Sequence, residues 1–396
     1  MTQLVSLAPP QTLARVGSID VLRGIVMVIM ALDHTRDFLH VNALYYDATN
    51  LATTTPPLFF TRWITHYCAP IFVFLAGTSA YLSGRRKTPR QLAGFLLTRG
   101  LWLIFLEVSI INFTFWFDVT FSLLMLQVIW AIGFGMVVLS GLVLLPWPAL
   151  LAIGLGIILG HNAFDTVTFT EGTAAYVIWS LLHQSNSIPL SSTRTLFVLY
   201  PALPWLGVIV TGYCFGRLYG SDYTSGQRKR ILAALGSAGV AGFVLLRYLN
   251  GYGDASPWAF QQNGLFTFMS FLNTTKYPPS LLYLLMTLGP GLLLLYVLEG
   301  RQARWMNFVR VYGQVPLFYY LFHFLLIHII SVISTLVSGF AWEQINFQSG
   351  GIPPEQGYSL GVVYLFWLGI VLFFYPLCLW YARFKAGRSS RLWSYL

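Results

Sequence analysis

Arg23-Gly24-Ile25-Val26-Met27-Val28-Ile29-Met30-Ala31-Leu32-Asp33-His34 is the stretch that decides how this chain must be read. An unbroken apolar run with ionisable residues at both ends has no polar face to offer water, so it reads as part of a membrane span. It continues into Thr35-Arg36-Asp37 and not into a small-residue cleavage site, so this first helix is expected to stay in the mature protein.

The rest of the chain repeats the pattern. Of 396 residues, 56% are apolar, 17% aromatic and only 9% charged, and the mean hydropathy is +0.67. Soluble domains carry roughly 25% charged residues, so most of this surface cannot face water. A span uses about 20 residues to cross roughly 30 Å of hydrocarbon, which leaves length for about ten. Intrinsic disorder, a nucleic-acid module and a disulfide scaffold all fit such a composition poorly. Cys68, Cys214 and Cys378 stand alone in apolar runs with neither CxxC nor Cys/His spacing, so neither a disulfide nor structural zinc is expected.

An all-α polytopic protein follows, with helices expected near 18–40, 58–83, 92–114, 122–144, 147–161, 195–217, 229–250, 279–298, 311–338 and 358–383. The net charge of +10 is a topology signal. With both termini cytoplasmic, Arg15, Arg85, Arg86, Lys87, Arg90, Arg217, Arg228, Lys229, Arg230, Arg301, Arg304, Arg383, Lys385, Arg388 and Arg391 all lie inside. Asp47, Asp118, Asp165, Glu171, Asp254, Glu343 and Glu355 lie outside with the long connections 162–194, 250–278 and 338–357. Residues 1–17 then form a cytoplasmic segment, 18–383 one transmembrane domain and 384–396 a basic tail. Pro70, Pro204 and Pro316 are candidate helix kinks. Gly207, Thr211 and Gly212 offer a small-residue face for association as a homodimer.

Ionisable groups inside a bilayer cost at least a few kcal/mol each, which makes them candidates for function. Arg23 and His34 are eleven residues apart, three turns plus about 20°, so they share one helix face about 16 Å apart. Asp20 and Asp37 extend the stripe, which suits a ligand lying along the helix; an interfacial Asp20–Arg23 pair with a hydrogen-bonded His34 is the bland alternative. His323 and His328 differ by about 140° around a helix, so only one should face a shared cavity. Glu107 and Gln127 either orient a histidine or hold helices together, and Lys276-Tyr277-Pro278-Pro279-Ser280 enters a helix from outside. No two histidines are four apart and no carboxylate spacing reads as a ligand set, so no metal is expected.

The run Ser18-Ile19-Asp20-Val21-Leu22-Arg23-Gly24 with Asp33-His34-Thr35-Arg36-Asp37-Phe38 resembles bacterial membrane proteins of the heparan-α-glucosaminide N-acetyltransferase catalytic-domain family. So do Pro70-Ile71-Phe72-Val73-Phe74-Leu75-Ala76-Gly77, Tyr200-Pro201 with Pro204-Trp205, Lys276 to Ser280, and Gly313-Gln314-Val315-Pro316 through His323 and His328. The Arg23-to-His34 spacing is also similar to the first helix of the acyltransferase type 3 family. His34 carries over better from that pattern than from the human-type lysosomal enzyme, whose active histidine lies in the loop before the second helix, where this chain has only His40 and His66 nearby.

The resemblance implies a multi-pass acyltransferase of the cell membrane, taking an acyl group, acetyl foremost, from cytoplasmic acyl-CoA to an extracytoplasmic sugar or cell-envelope glycan. Acetyl-CoA would be the donor substrate. Its phosphates would meet Arg23, Arg85, Arg86 and Arg217, and its thioester would lie near a catalytic His34. Asp37 would orient that ring, His323 or Tyr320 would hold the thioester carbonyl, and His66, Lys276 and Tyr320 would contact substrate. A transporter or flippase for a small polar or lipid-linked substrate is the competing class; it should show inverted repeats, and the sequence shows none.

Overall fold

The computed structural model describes residues 17–41, 43, 45–345, 347, 353 and 356–387; Arg15, Glu355, Arg388 and Arg391, with most of both expected terminal segments, lie outside them. Helices dominate: α1 (Gly17–Leu39), α2 (Pro56–Thr65), α3 (Cys68–Gly84), α4 (Pro89–Leu106), α5 (Asn112–Trp116), α6 (Val128–Leu142), α7 (Trp147–Gly160), α8 (Ala174–Leu182) and α9 (Ala202–Phe215). After them come α10 (Ser225–Leu249), α11 (Gly264–Leu272), α12 (Leu281–Leu298), α13 (Arg304–Gln314), α14 (Pro316–Val337) and α15 (Leu360–Ala386). Among the described residues, seven continuous helical stretches are long and apolar enough to cross a membrane, and the chain is a multi-pass membrane protein. Helix α1 is too charged to meet that measure, and α6 is shorter than a span.

The all-helical expectation fails at one end of the bundle. Strands β1 (Leu123–Leu126), β2 (Ser187–Ser191) and β3 (Arg194–Val198) form a sheet in the order β1-β3-β2, with β1 parallel to β3 and β2 antiparallel to it. Helices expected from 122 and 195 therefore begin at 128 and 202. Short apolar runs such as Leu123 to Leu126 carry no periodicity that separates strand from helix. The Asn112 amide fixes β1 by exchanging hydrogen bonds with the Met125 backbone, receiving from its N at 2.7 Å and donating to its O at 2.9 Å.

Two further expectations are corrected. Pro70, Pro204 and Pro316 all fall in the first turn of a helix, where the missing N–H costs nothing, while Pro290 and Pro376 are the mid-helix prolines. The face of Gly207, Thr211 and Gly212 is consumed within the chain: Gly207 lies on Ile157 and Ile158 of α7, Thr211 on Gly154, and Gly212 on the Phe74 backbone of α3.

Helix α1 is the hub, touching α2, α3, α12, α13, α14 and α15. Its tightest neighbour is α13, where a Cβ on Gly24 would overlap the Val309 carbonyl and one on Gly313 would overlap the Asp20 carbonyl. On the far side the Trp367 indole donates to the Val28 carbonyl at 2.8 Å. Glu107, fully buried, accepts from the backbone N–H groups of Gln127 (3.2 Å) and Trp130 (3.0 Å), capping α6 inside the bundle. It holds helices together and does not orient a histidine. Overpacking a close backbone contact costs about 1–3 kcal/mol, so Gly24→Ala should lower the melting temperature of detergent-solubilised protein by several degrees. Gly156→Ala, whose Cβ meets nothing within 4 Å, should melt like the parent, and equal melts for both would refute the packing account.

Candidate active site

Two turns of two helices build the centre of the site. His34 sits in the last third of α1 and His323 in the second turn of α14, and the structure brings their rings into register: His34 Nδ1 is 3.0 Å from His323 Nε2. His323 Nδ1 lies 2.5 Å from the Tyr319 carbonyl oxygen. A carbonyl only accepts, so His323 Nδ1 carries a proton and, in the neutral ring, Nε2 carries a lone pair. His34 Nδ1 must therefore donate to it, which leaves the His34 Nε2 lone pair free of that chain. His323 is fully buried and His34 half-buried, so the outer imidazole of the pair is the accessible one. Phe324 packs edge-on to His34 at 4.7 Å. His328, by contrast, bonds the Thr114 carbonyl at 2.8 Å and stacks on Phe117, so of the two histidines of α14 only His323 joins His34.

Asp37 does not orient His34. It pairs with Arg36 at 2.5 Å, and the orienting group is His323.

Beneath the imidazoles, Arg23 donates to the Gly313 carbonyl at 3.0 Å, to Asp20 at 3.1 Å and to the Ser79 hydroxyl at 2.7 Å. It thus ties α1 to α3 and to the break between α13 and α14, where Val315 leaves helical geometry and Pro316 starts the next helix. A cavity of about 340 Å³ opens there, walled by Arg23, Arg99 and Lys385 among apolar side chains, and reaching Tyr320. The Tyr320 ring centroid is 6.1 Å from those of both His34 and His323, so this residue borders both the cationic cavity and the imidazole pair. Arg85, Arg86 and Arg217 are exposed and are not among the residues lining that cavity; Arg217 lies against the Trp147 ring and faces Asp222 at 4.0 Å. Sequence reasoning missed Arg99 and Lys385. Arg99 was nonetheless visible as a cation in the middle of an apolar helix.

On the other side of the imidazoles lies a knot of charge. Asp33 accepts from Arg62 at 2.5 and 2.7 Å, from Arg36 at 3.0 Å and from the Thr65 hydroxyl at 2.8 Å. Lys276 is buried beside it with its ammonium 5.1 Å from the Tyr277 ring. Burial alone would raise the Tyr277 phenol, but the Lys276 and Arg62 cations outweigh it and hold the group below its usual range. His66 is buried at the junction of α2 and α3, edge-on to Tyr283 at 5.6 Å. Asp33 is the anion that makes this cluster of cations tolerable, a role adjacent residues in the sequence did not reveal.

Residues 15–245 match the family model described as heparan-alpha-glucosaminide N-acetyltransferase, catalytic. The match covers more than half of the chain and includes Arg23, His34, Asp33, Arg62 and Arg99; Lys276, Tyr320 and His323 lie beyond it. No curated protein matches the chain. Removing one partner of a buried ion pair costs about 3–5 kcal/mol, so Asp33→Asn should destabilise the protein far more than Asp47→Asn in the exposed loop. Thermal unfolding followed by size-exclusion chromatography reads the difference, and equal melts would mean that the cluster is not the electrostatic keystone.

Proposed function

The chain belongs to the heparan-α-glucosaminide N-acetyltransferase catalytic family, and from that membership we propose that it carries an acyl group, acetyl foremost, from acyl-CoA to an acceptor on the other side of the bilayer. In this reading ten helices span the cell membrane with both termini cytoplasmic. The acceptor is an extracytoplasmic sugar or cell-envelope glycan. The observation that carries the proposal is the alignment of a cationic cavity, Tyr320 and the His34–His323 pair along one face of α1.

The donor's phosphates meet Arg23, Arg99 and Lys385 at the end of the cavity where α1 begins, an arrangement of fixed cations suited to polyanion binding. The pantetheine arm follows the apolar wall towards Tyr320, whose hydroxyl holds the thioester carbonyl in this reading. His34 Nε2 takes the proton from the acceptor's hydroxyl or amine as that group attacks the carbonyl carbon. The C–S bond then breaks, and the coenzyme A thiolate leaves with the proton returned from the imidazole. His323 holds the His34 tautomer and stabilises the ring when it is charged. The Asp33, Arg36, Arg62 and Lys276 cluster, with His66, shapes the acceptor's approach.

With radiolabelled acetyl-CoA and candidate sugars, His34→Ala should lower turnover about 10²- to 10⁴-fold. His323→Gln, which keeps an acceptor for His34 Nδ1, should retain more activity than His323→Leu at unchanged KM. Losing one cation from a phosphate contact is a change of about 1.4 kcal/mol, or tenfold, so Arg99→Ala and Lys385→Ala should each raise the KM for acetyl-CoA about tenfold. The double variant Arg85→Ala/Arg86→Ala should leave it alone. Parent-like transfer by His34→Ala would end this mechanism, and a KM that moves only in the double variant would place the donor elsewhere.

A further inference from the structure

At the end of the bundle where α1 finishes, away from the imidazole pair, a second group of ionisable side chains converges. Helix α7 ends at Gly160 and turns through His161–Phe164, presenting His161 and then Asp165; helix α8 ends at Leu182, with His183 as its C-cap. One ligand-capable atom from each of His161, Asp165 and His183 lies within 4.8 Å of the others. His183 Nε2 is 3.0 Å from Asp165 Oδ1, and the Asn162 amide donates to the other carboxylate oxygen at 2.8 Å.

The cluster is incomplete as a hydrogen-bonded core. His161 is 2% exposed and His183 fully buried, yet both ring nitrogens of His161 and Nδ1 of His183 have no hydrogen-bond partner among the described residues. Buried polar atoms are partnered in the great majority of cases, and each one left without costs about 1–3 kcal/mol. A neutral imidazole has one lone-pair nitrogen, so an electron-pair acceptor beside the carboxylate would partner one nitrogen of His161 and one of His183, which the protein itself leaves without a full set of partners. A cavity of about 390 Å³, lined by Asn162, Asp165, His183, Asn186, Tyr277 and Ser280, gives access to the site.

We propose that His161, Asp165 and His183 form a binding site for a divalent transition-metal ion, Zn²⁺ above all. Two imidazoles and one carboxylate are the donor mix that zinc accepts while leaving a further position open, here towards the cavity. Softer ions would want a thiolate, and Ca²⁺ or Mg²⁺ would want more oxygens than one carboxylate and a neighbouring amide supply. Bound there, the ion would fasten the end of α7 to the end of α8 across the long connection between them, next to the segment that carries Lys276 and Tyr277. His161 and Asp165 are four residues apart, but the third donor, His183, comes from the end of another helix, so the spacing along the chain does not read as a ligand set and no metal was expected from it.

The full chain, purified in detergent with an affinity tag that contains no histidine and stripped with EDTA, should take up about one Zn²⁺ per chain by elemental analysis after desalting. Zn²⁺ should raise its melting temperature, because an ion that binds only the folded state stabilises it. His161→Ala and Asp165→Asn should each weaken Zn²⁺ binding about 10- to 100-fold and abolish that rise, whereas His40→Ala should behave as the parent. Asp165→Asn keeps the shape of the side chain and decides the matter if His161→Ala does not fold. Uptake well below one equivalent, or uptake and melting shifts unaltered in both variants, would overturn the site and leave the acyl-transfer reading untouched.

Discussion

A helix carrying Asp20, Arg23, Asp33, Arg36 and Asp37 cannot stand alone in hydrocarbon, and the rest of the molecule is arranged around that fact. Every one of these groups has its charge met by a neighbour: Arg23 by Asp20, the Gly313 carbonyl and Ser79, and Asp33 by Arg36, Arg62 and Thr65. Six helices close around α1, three of them, α2, α3 and α13, supplying partners for its charges, and the absence of side chains at Gly24 and Gly313 lets α13 come close enough for the Arg23 bond to form. Low dielectric strengthens each such contact and penalises each omission, so electrostatic satisfaction of one helix fixes the positions of several.

That dependence is why the candidate site has the form it does. The break between α13 and α14 is held by Arg23 from below, and the second turn of α14 then delivers Tyr319, Tyr320 and His323 to the level of His34. A guanidinium that reads as a ligand contact is thus also a structural fastener. The same economy is seen at Glu107, which caps α6 within the bundle, and at Arg247, whose guanidinium donates to the carbonyls of Ser256, Ser270, Phe271 and Asn273 and so pins the long connection after α10.

Much of this was legible in the residues. Low charge and long apolar runs identified a multi-pass membrane protein, and α1 runs unbroken over the eleven-residue interval from Arg23 to His34, as the shared-face reading requires. What could not be read were relations between helices. Asp37 is three residues from His34 and was the natural orienting partner by spacing, yet Arg36 claims it, and the partner comes from His323, far along the chain. Arg85 and Arg86, whose position at the basic face suggested phosphate contacts, do not line the cavity, which is walled by Arg23, Arg99 and Lys385 from three different helices. Leu123 to Leu126 and Arg194 to Val198 pair only because tertiary contacts bring them together, which short apolar runs do not announce.

The histidine pair has one further property. Its hydrogen-bonded chain runs from His34 through His323 and stops at the Tyr319 carbonyl, an oxygen with no hydrogen to hand on. A charge picked up at the exposed nitrogen therefore has only the way it came to leave by, and this pair of rings cannot act as a wire for hydrogen ions through the lipid. In the proposed reading, the arrangement that leaves a basic nitrogen for the acceptor gives the proton it collects no exit through the second ring.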